Sequence, residues 1–279
     1  MRGWWQDLSG LVLPAQCAGC GRSRTTLCAR CSAALCGAVP GRVRPRPEPA
    51  GLPVVHAAAP YRDAVRAVLL AHKERGALGL AAPLGAALAG AVRAGLLVTV
   101  GPGGPGGPGG PGPGQGPDTG AVGLVPVPSA PRAVRARGHD PLRRIAYAAA
   151  AELRRGGVRA RVLPVLRQRR PVADQAGLDA RQRLANMTGA LEAVGGSDRL
   201  LAEVGRIVLV DDLMTTGASL AEAGRALRDP TVLRPSQWGS GQVRGGRERS
   251  VTGAGKNGPE LVLGAVIAAS PDSFEINRN

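Results

Sequence analysis

A chain of 279 residues with 44% hydrophobic content can bury one large core and carry a small module beside it. Aromatics make up only 2%, so that core must be built from Leu, Val and Ala. The formal charge of +16 is nearly all arginine, because Lys73 and Lys256 are the only lysines; it favours polyanionic partners, although a GC-rich coding sequence enriches the same residue types.

The chain opens with Trp4-Trp5 and a short apolar run, Leu8 to Leu13, too short to span a bilayer. Only Arg2 supplies a basic flank and no small-residue cleavage site precedes Cys17, which argues against a secretory leader. A cytoplasmic protein with reduced thiols is expected.

All five cysteines fall between residues 17 and 36. Cys17-x-x-Cys20 and Cys28-x-x-Cys31 are two knuckles, each presenting two thiolates, and four thiolates complete a closed tetrahedral site. Gly19 and Gly21 suit the tight turns such knuckles need. Structural Zn2+ is the expected metal, with an Fe–S cluster as the alternative. Two disulfides would need an oxidising compartment, and a thioredoxin-type pair would sit inside a βαβ unit. Cys36 is left over, as a small buried residue or a spare ligand.

The chain divides into a cysteine-rich zinc module at 1–38, a Pro/Arg-rich semi-rigid linker at 39–53 and a larger domain at 54–279. In that domain Ala57–Tyr61 reads as a strand, Val65–His72 as a helix, and Ala82–Leu97 as an amphipathic helix packed on a sheet, not a membrane span. Residues 101–117 are almost pure Gly and Pro and are expected to be a disordered insertion. Val122–Pro128 resumes as a strand, Ile145–Arg154 as a helix, Arg161–Leu166 as a strand and Gln182–Leu191 as helix and loop. Residues 230–259 are polar and Gly-rich, read as a second disordered insertion, and Leu261–Ala269 supplies a last strand. This alternation predicts an α/β fold with a doubly wound parallel sheet.

The richest stretch is Ile207–Val210, Asp211-Asp212, the turn Thr215-Thr216-Gly217-Ala218-Ser219 and a helix at 219–228. Four consecutive β-formers suit a central strand covered on both faces. The acids fall at its carboxyl end, where open α/β sheets bind ligands. Small residues in the turn let backbone N–H groups converge on a phosphate, at the positive end of the helix. A Walker B-like Mg2+ site would also use such acids, but no G-x-x-x-x-G-K-[ST] occurs in the chain.

This stretch resembles the PRPP loop of the type I phosphoribosyltransferases, PRPP being phosphoribosyl pyrophosphate. With the cysteine module ahead of it, the chain resembles the ComF family, bacterial proteins linked to competence and DNA uptake that fuse a zinc module to a phosphoribosyltransferase domain. The resemblance implies that Asp211 and Asp212 are the catalytic acids, holding the ribose 2′- and 3′-hydroxyls. It implies that Thr215, Thr216, Gly217, Ala218 and Ser219 wrap the 5′-phosphate. Pro60-Tyr61 with Lys73-Glu74-Arg75-Gly76 is similar to the family's pyrophosphate segment, so Lys73 and Arg75 become pyrophosphate ligands. Both also suit a plain helix C-terminus.

Val125-Pro126-Val127-Pro128 with Arg132, Arg135, Arg137 and Gly138 is similar to the family's Val-Pro-Val-Pro strand and arginine-rich loop. The chain departs from it at His139, Asp140 and Pro141, where the family has an aromatic, then Asn and Gln. Gln175, Arg183 and Asn186 match the family's mobile lid, which would keep water from PRPP; a solvated amphipathic helix is the alternative.

The implied activity is phosphoribosyl transfer from PRPP with Mg2+, through an oxocarbenium-like transition state served by position and charge. The rival readings are a non-catalytic single-stranded-DNA-binding module working with DNA-uptake proteins, and a PRPP sensor.

Overall fold

A computed structural model of the chain describes residues 16–98, 120–172, 177, 179–229 and 260–274. The elements run α1 (Ala29–Cys36), β1 (Gly41–Val43), β2 (Val55–Pro60), α2 (Asp63–Glu74), a 3-10 turn at Leu78–Leu80 and α3 (Ala81–Val98). They continue with β3 (Ala121–Pro126), α4 (Pro131–Arg137), α5 (Pro141–Arg155), β4 (Ala160–Val162), β5 (Leu166–Gln168) and α6 (Ala180–Met187). The last are β6 (Leu191–Ala193), α7 (Ser197–Ala202), β7 (Val204–Met214), α8 (Ala218–Arg228) and β8 (Glu260–Ala269).

Six strands form one sheet in the order β1-β2-β8-β7-β3-β4. Only the edge pair β1–β2 is antiparallel; β2–β8, β8–β7, β7–β3 and β3–β4 are parallel. The architecture is α/β with a mostly parallel sheet. Alternation along β7 sends Val208 and Val210 to a core shared with α2, α3 and α5, while Ile207 and Leu209 join α7, α8 and the β5–β6 ribbon on the other face. Both faces are therefore buried, which is why this strand reads as an unbroken apolar run.

Three expectations are revised in detail. The strand read at Arg161–Leu166 is two elements, β4 and β5, because Pro164 cannot donate to a ladder and the chain turns there. The strand read at 207–210 runs on to Met214, so both acids lie within β7 and not just past it. The stretch 39–53, read as a linker, carries β1: Val43 is 1% exposed, and the Arg44 N–H donates to the Ser273 carbonyl at 2.6 Å.

Leu78–Val98 is, among the described residues, the one helix long and apolar enough to cross a membrane. Its Leu84, Leu88, Ala91 and Val92 are instead buried against the sheet and α5. Trp4-Trp5, Gln175 and the segments 101–117 and 230–259 lie outside the described residues.

Candidate functional site

The chain passes from β3 to its neighbour β4 and then crosses back to β7 on the other side of β3. Such a reversal leaves a crevice beyond the carboxyl ends of the strands, where open α/β sheets bind ligands. Asp211 and Asp212 lie there on β7. The Asp212 N–H donates to Asp211 Oδ1 at 2.8 Å, which ties the first carboxylate to the strand. Asp211 keeps some solvent exposure, yet dense surroundings desolvate its carboxyl and the Asp212 charge repels it; together they push it well above the usual carboxylate range.

The C-terminal turn of α2 supplies the counter-charge. Lys73 Nζ donates to Asp212 Oδ2 at 2.8 Å across 139 residues of sequence. The Asp212 carboxylate in turn raises the Lys73 pKa, so the ammonium stays charged. The next residue, Glu74, accepts both Arg137 Nη2 contacts, at 3.0 and 3.2 Å, and brings the end of α4 to the same place. Arg75 does not reach the crevice: its Nη2 bonds back to the Ala67 carbonyl of its own helix at 3.3 Å.

Past the acids, Thr215, Thr216, Gly217, Ala218 and Ser219 line a pocket of about 50 Å³ with Asp211 and Leu220. Gly217 is the N-cap of α8 at φ 74°, and no side chain caps the helix. Its first-turn N–H groups are therefore donors for an anion, at the positive end of the helix dipole. Only glycine fits there, since a Cβ would stand 3.0 Å from Leu52 Cδ1 in a left-handed conformation.

Arg183 reaches this turn from α6, its Nη1 donating to Thr215 Oγ1 at 3.2 Å, while its Nε is buried without a hydrogen-bond partner. Asn186, one turn further along α6, accepts through its carbonyl from Arg170 at 2.9 Å. Lys73, Arg137, Arg183, the acids and the small-residue turn thus come to one end of the sheet. Glu74 and Leu52 were not singled out in the sequence. The partner that gives Glu74 its role is 63 residues away, and only the fold brings the two together.

The cysteines form a second centre. The Sγ atoms of Cys17, Cys20, Cys28 and Cys31 all lie within 4.8 Å of one another. Cys20 and Cys28 are 3.7 Å apart, close to the edge of about 3.8 Å that four Zn–S bonds of about 2.3 Å give a tetrahedron. Burial pushes Cys17 up, but N–H groups of Cys28, Gly19 and Cys20 more than offset it and bring the thiol down to about 6. Burial, with the other three thiols, pushes Cys31 up to about 12. Four sulfurs this close cannot all ionise without a cation among them, so the set fits a metal ion such as zinc. A Cβ on Gly19 would lie 2.7 Å from Cys31 Sγ, so the knuckle requires glycine. Cys36 lies outside the cluster and is exposed, not buried, with Sγ 3.7 Å from the Pro83 carbonyl.

No family model and no curated protein matches the chain, so the chemistry of these two centres carries the functional reading.

Proposed function

We propose that the crevice at the carboxyl end of β7 binds PRPP with Mg2+, and that the chain is a phosphoribosyltransferase-like protein of the ComF type. The observation that carries this reading is the Lys73–Asp212 pair beside the uncapped turn of α8. Acids for ribose hydroxyls, N–H donors for a 5′-phosphate and cations for pyrophosphate then share one crevice. Asp211 and Asp212 accept from the ribose hydroxyls. The turn 215–219 holds the 5′-phosphate with backbone donors, and Arg183, already on Thr215, closes over it. Lys73 and Arg137 face the pyrophosphate and stabilise its charge as it leaves for an acceptor nucleophile.

Two adjacent carboxylates, of which Asp211 is held above the usual carboxylate range by burial and by the Asp212 charge, are a fitting donor set for a hard cation, and Asp211 and Asp212 are the residues that would face Mg2+. When bound, it supplies charge neutralisation for the pyrophosphate. The cysteine cluster takes structural Zn2+ under this reading, and four unbridged thiols suit a reducing compartment such as the cytoplasm.

Calorimetric titration of PRPP with Mg2+ tests the proposal. Binding by the parent chain, with loss of at least tenfold in affinity in Asp211→Asn/Asp212→Asn at unchanged fold, is expected. No binding by the parent chain sinks it.

One observation favours a second reading, a single-stranded-DNA-binding surface of use in DNA uptake. Arg132, Arg135, Arg143 and Arg144 are exposed on α4 and α5. Beside them Tyr147 is 50% exposed, with Arg143 5.9 Å above its ring. Exposed cations around a stackable ring suit an unpaired strand. Affinity that falls steeply with salt and weakens in Arg143→Ala/Tyr147→Ala would support it, and no binding at low salt would remove it.

A further inference from the structure

A concavity of about 640 Å³ opens at the other end of the sheet, at the amino ends of β3 and β4. Along β3 alone that is about 16 Å from the acid-pair crevice. Its lining includes Arg154, Arg159, Arg161 and Glu203, with Gly157 and Val158 between them. Three arginines and a single acidic residue line it. The volume is of the size that small-molecule sites have.

Arg154 and Arg161 are each held by a hydrogen bond. Arg154 Nη1 donates to the Ala160 carbonyl at 2.8 Å, which fixes the end of α5 against β4. Arg161 Nη2 donates to Glu203 Oε2 at 2.8 Å, and Arg161 Nε is buried with no hydrogen-bond partner. A guanidinium presents Nε and Nη2 along one edge as a fork that takes two oxygens of one anion. Here Glu203 engages one prong only, and it is 56% exposed at its side chain, so water competes for it. Gly157, at φ +82° with nothing within 4 Å of a built Cβ, leaves room beside the arginines. Val158, half-buried, offers an apolar wall.

We propose that this concavity is a second anion site, which takes a phosphorylated small molecule on the Arg161 fork with Arg154 and Arg159 around it, displacing Glu203. It lies apart from the acid pair and does not depend on the PRPP reading. A surface of merely solvated arginines would not hold one of them with a buried orphan donor beside an exposed, one-pronged carboxylate.

Calorimetric titration of inorganic pyrophosphate without divalent cations into the full chain is the test, run on the parent chain and four variants. The parent chain binds at this site. Lys73→Ala, at the far crevice, retains that binding event. Arg159→Ala/Arg161→Ala loses it, by at least tenfold in affinity, and Arg161→Lys, which keeps the charge but not the fork, weakens it in a chain whose melting is unchanged. Glu203→Gln binds threefold to tenfold more tightly, because the competing carboxylate is gone; a purely structural role for the pair predicts no gain. Pyrophosphate binding that Lys73→Ala removes completely, or that Arg161→Lys and Glu203→Gln both leave unchanged, would overturn the proposal. Either result leaves PRPP binding at the acid pair a separate question, answered by its own variants.

Discussion

At the scale of single residues, Gly217 shows how closely the crevice is specified. It combines a left-handed backbone with contact to Leu52 and Pro45. Ala at this position would carry both the conformational cost and a crowded Cβ, together about 1–2 kcal/mol. A fall in melting temperature of about 2–6 °C is expected, with a further loss of PRPP affinity as the turn is displaced; unchanged melting and binding would show that the turn yields freely. Glu222 is the second telling residue. It is buried on α8, accepts the Leu191 N–H at 3.1 Å and pairs with Arg225, whose Nη2 reaches the Leu191 carbonyl. Burial alone would raise its pKa, but the Arg225 side chain and the N–H groups of Leu191 and Gly189 lower it overall. A carboxylate lowered in the folded state contributes stability above its unfolded value of about 4.3 and loses that contribution as pH falls through the folded value. Acid unfolding should therefore begin below about pH 4.3 in part through this group. Glu222→Gln should flatten that limb and cost about 2 kcal/mol at neutral pH, read by denaturant titration at two pH values.

At the scale of elements, α2 joins the two centres. Ala64, near its start, packs against the cysteine cluster, and Lys73, near its end, meets Asp212. Removing the metal should loosen α2 as well as the knuckles, since α1 also buries Leu35 in the main core. Zinc of about one equivalent per chain is expected, lost in Cys17→Ser/Cys31→Ser. Chelation should lower hydrogen-exchange protection across α2, whereas full protection in a metal-free chain would show that the cluster is dispensable. The elements legible in the sequence were those whose own pattern decides them. These include β7, α3, α8 and β8, which are long or apolar throughout, and the acid pair with its small-residue turn. The short ones, β1, β6, α4 and α7, were not legible. β1 exists because β2 offers it an edge, and β6 because β5 lies opposite. In the same way the cysteine spacing announced a four-sulfur site, while the partners of Arg137 and Arg75 were set by the fold.

At the scale of the whole molecule, the sheet separates two ends of different character. The carboxyl end gathers two acids, Lys73, Arg137, Arg183 and an uncapped helix; the amino end gathers three arginines with one glutamate and, among the described residues, no acid pair. The segment 39–53 makes the parts inseparable. Its strand closes the β2 edge, Leu52 and Pro45 pack against Gly217, and Arg228 Nη2 holds the Gly51 carbonyl at 2.8 Å. A chain shortened to begin at Val54 would lose the wall that shapes the turn and leave a row of unpaired backbone groups along β2. An open sheet edge is a template for pairing with other chains. Such a fragment, though cut at what reads as a domain boundary, would tend to self-associate and to fail as a stand-in for the intact protein.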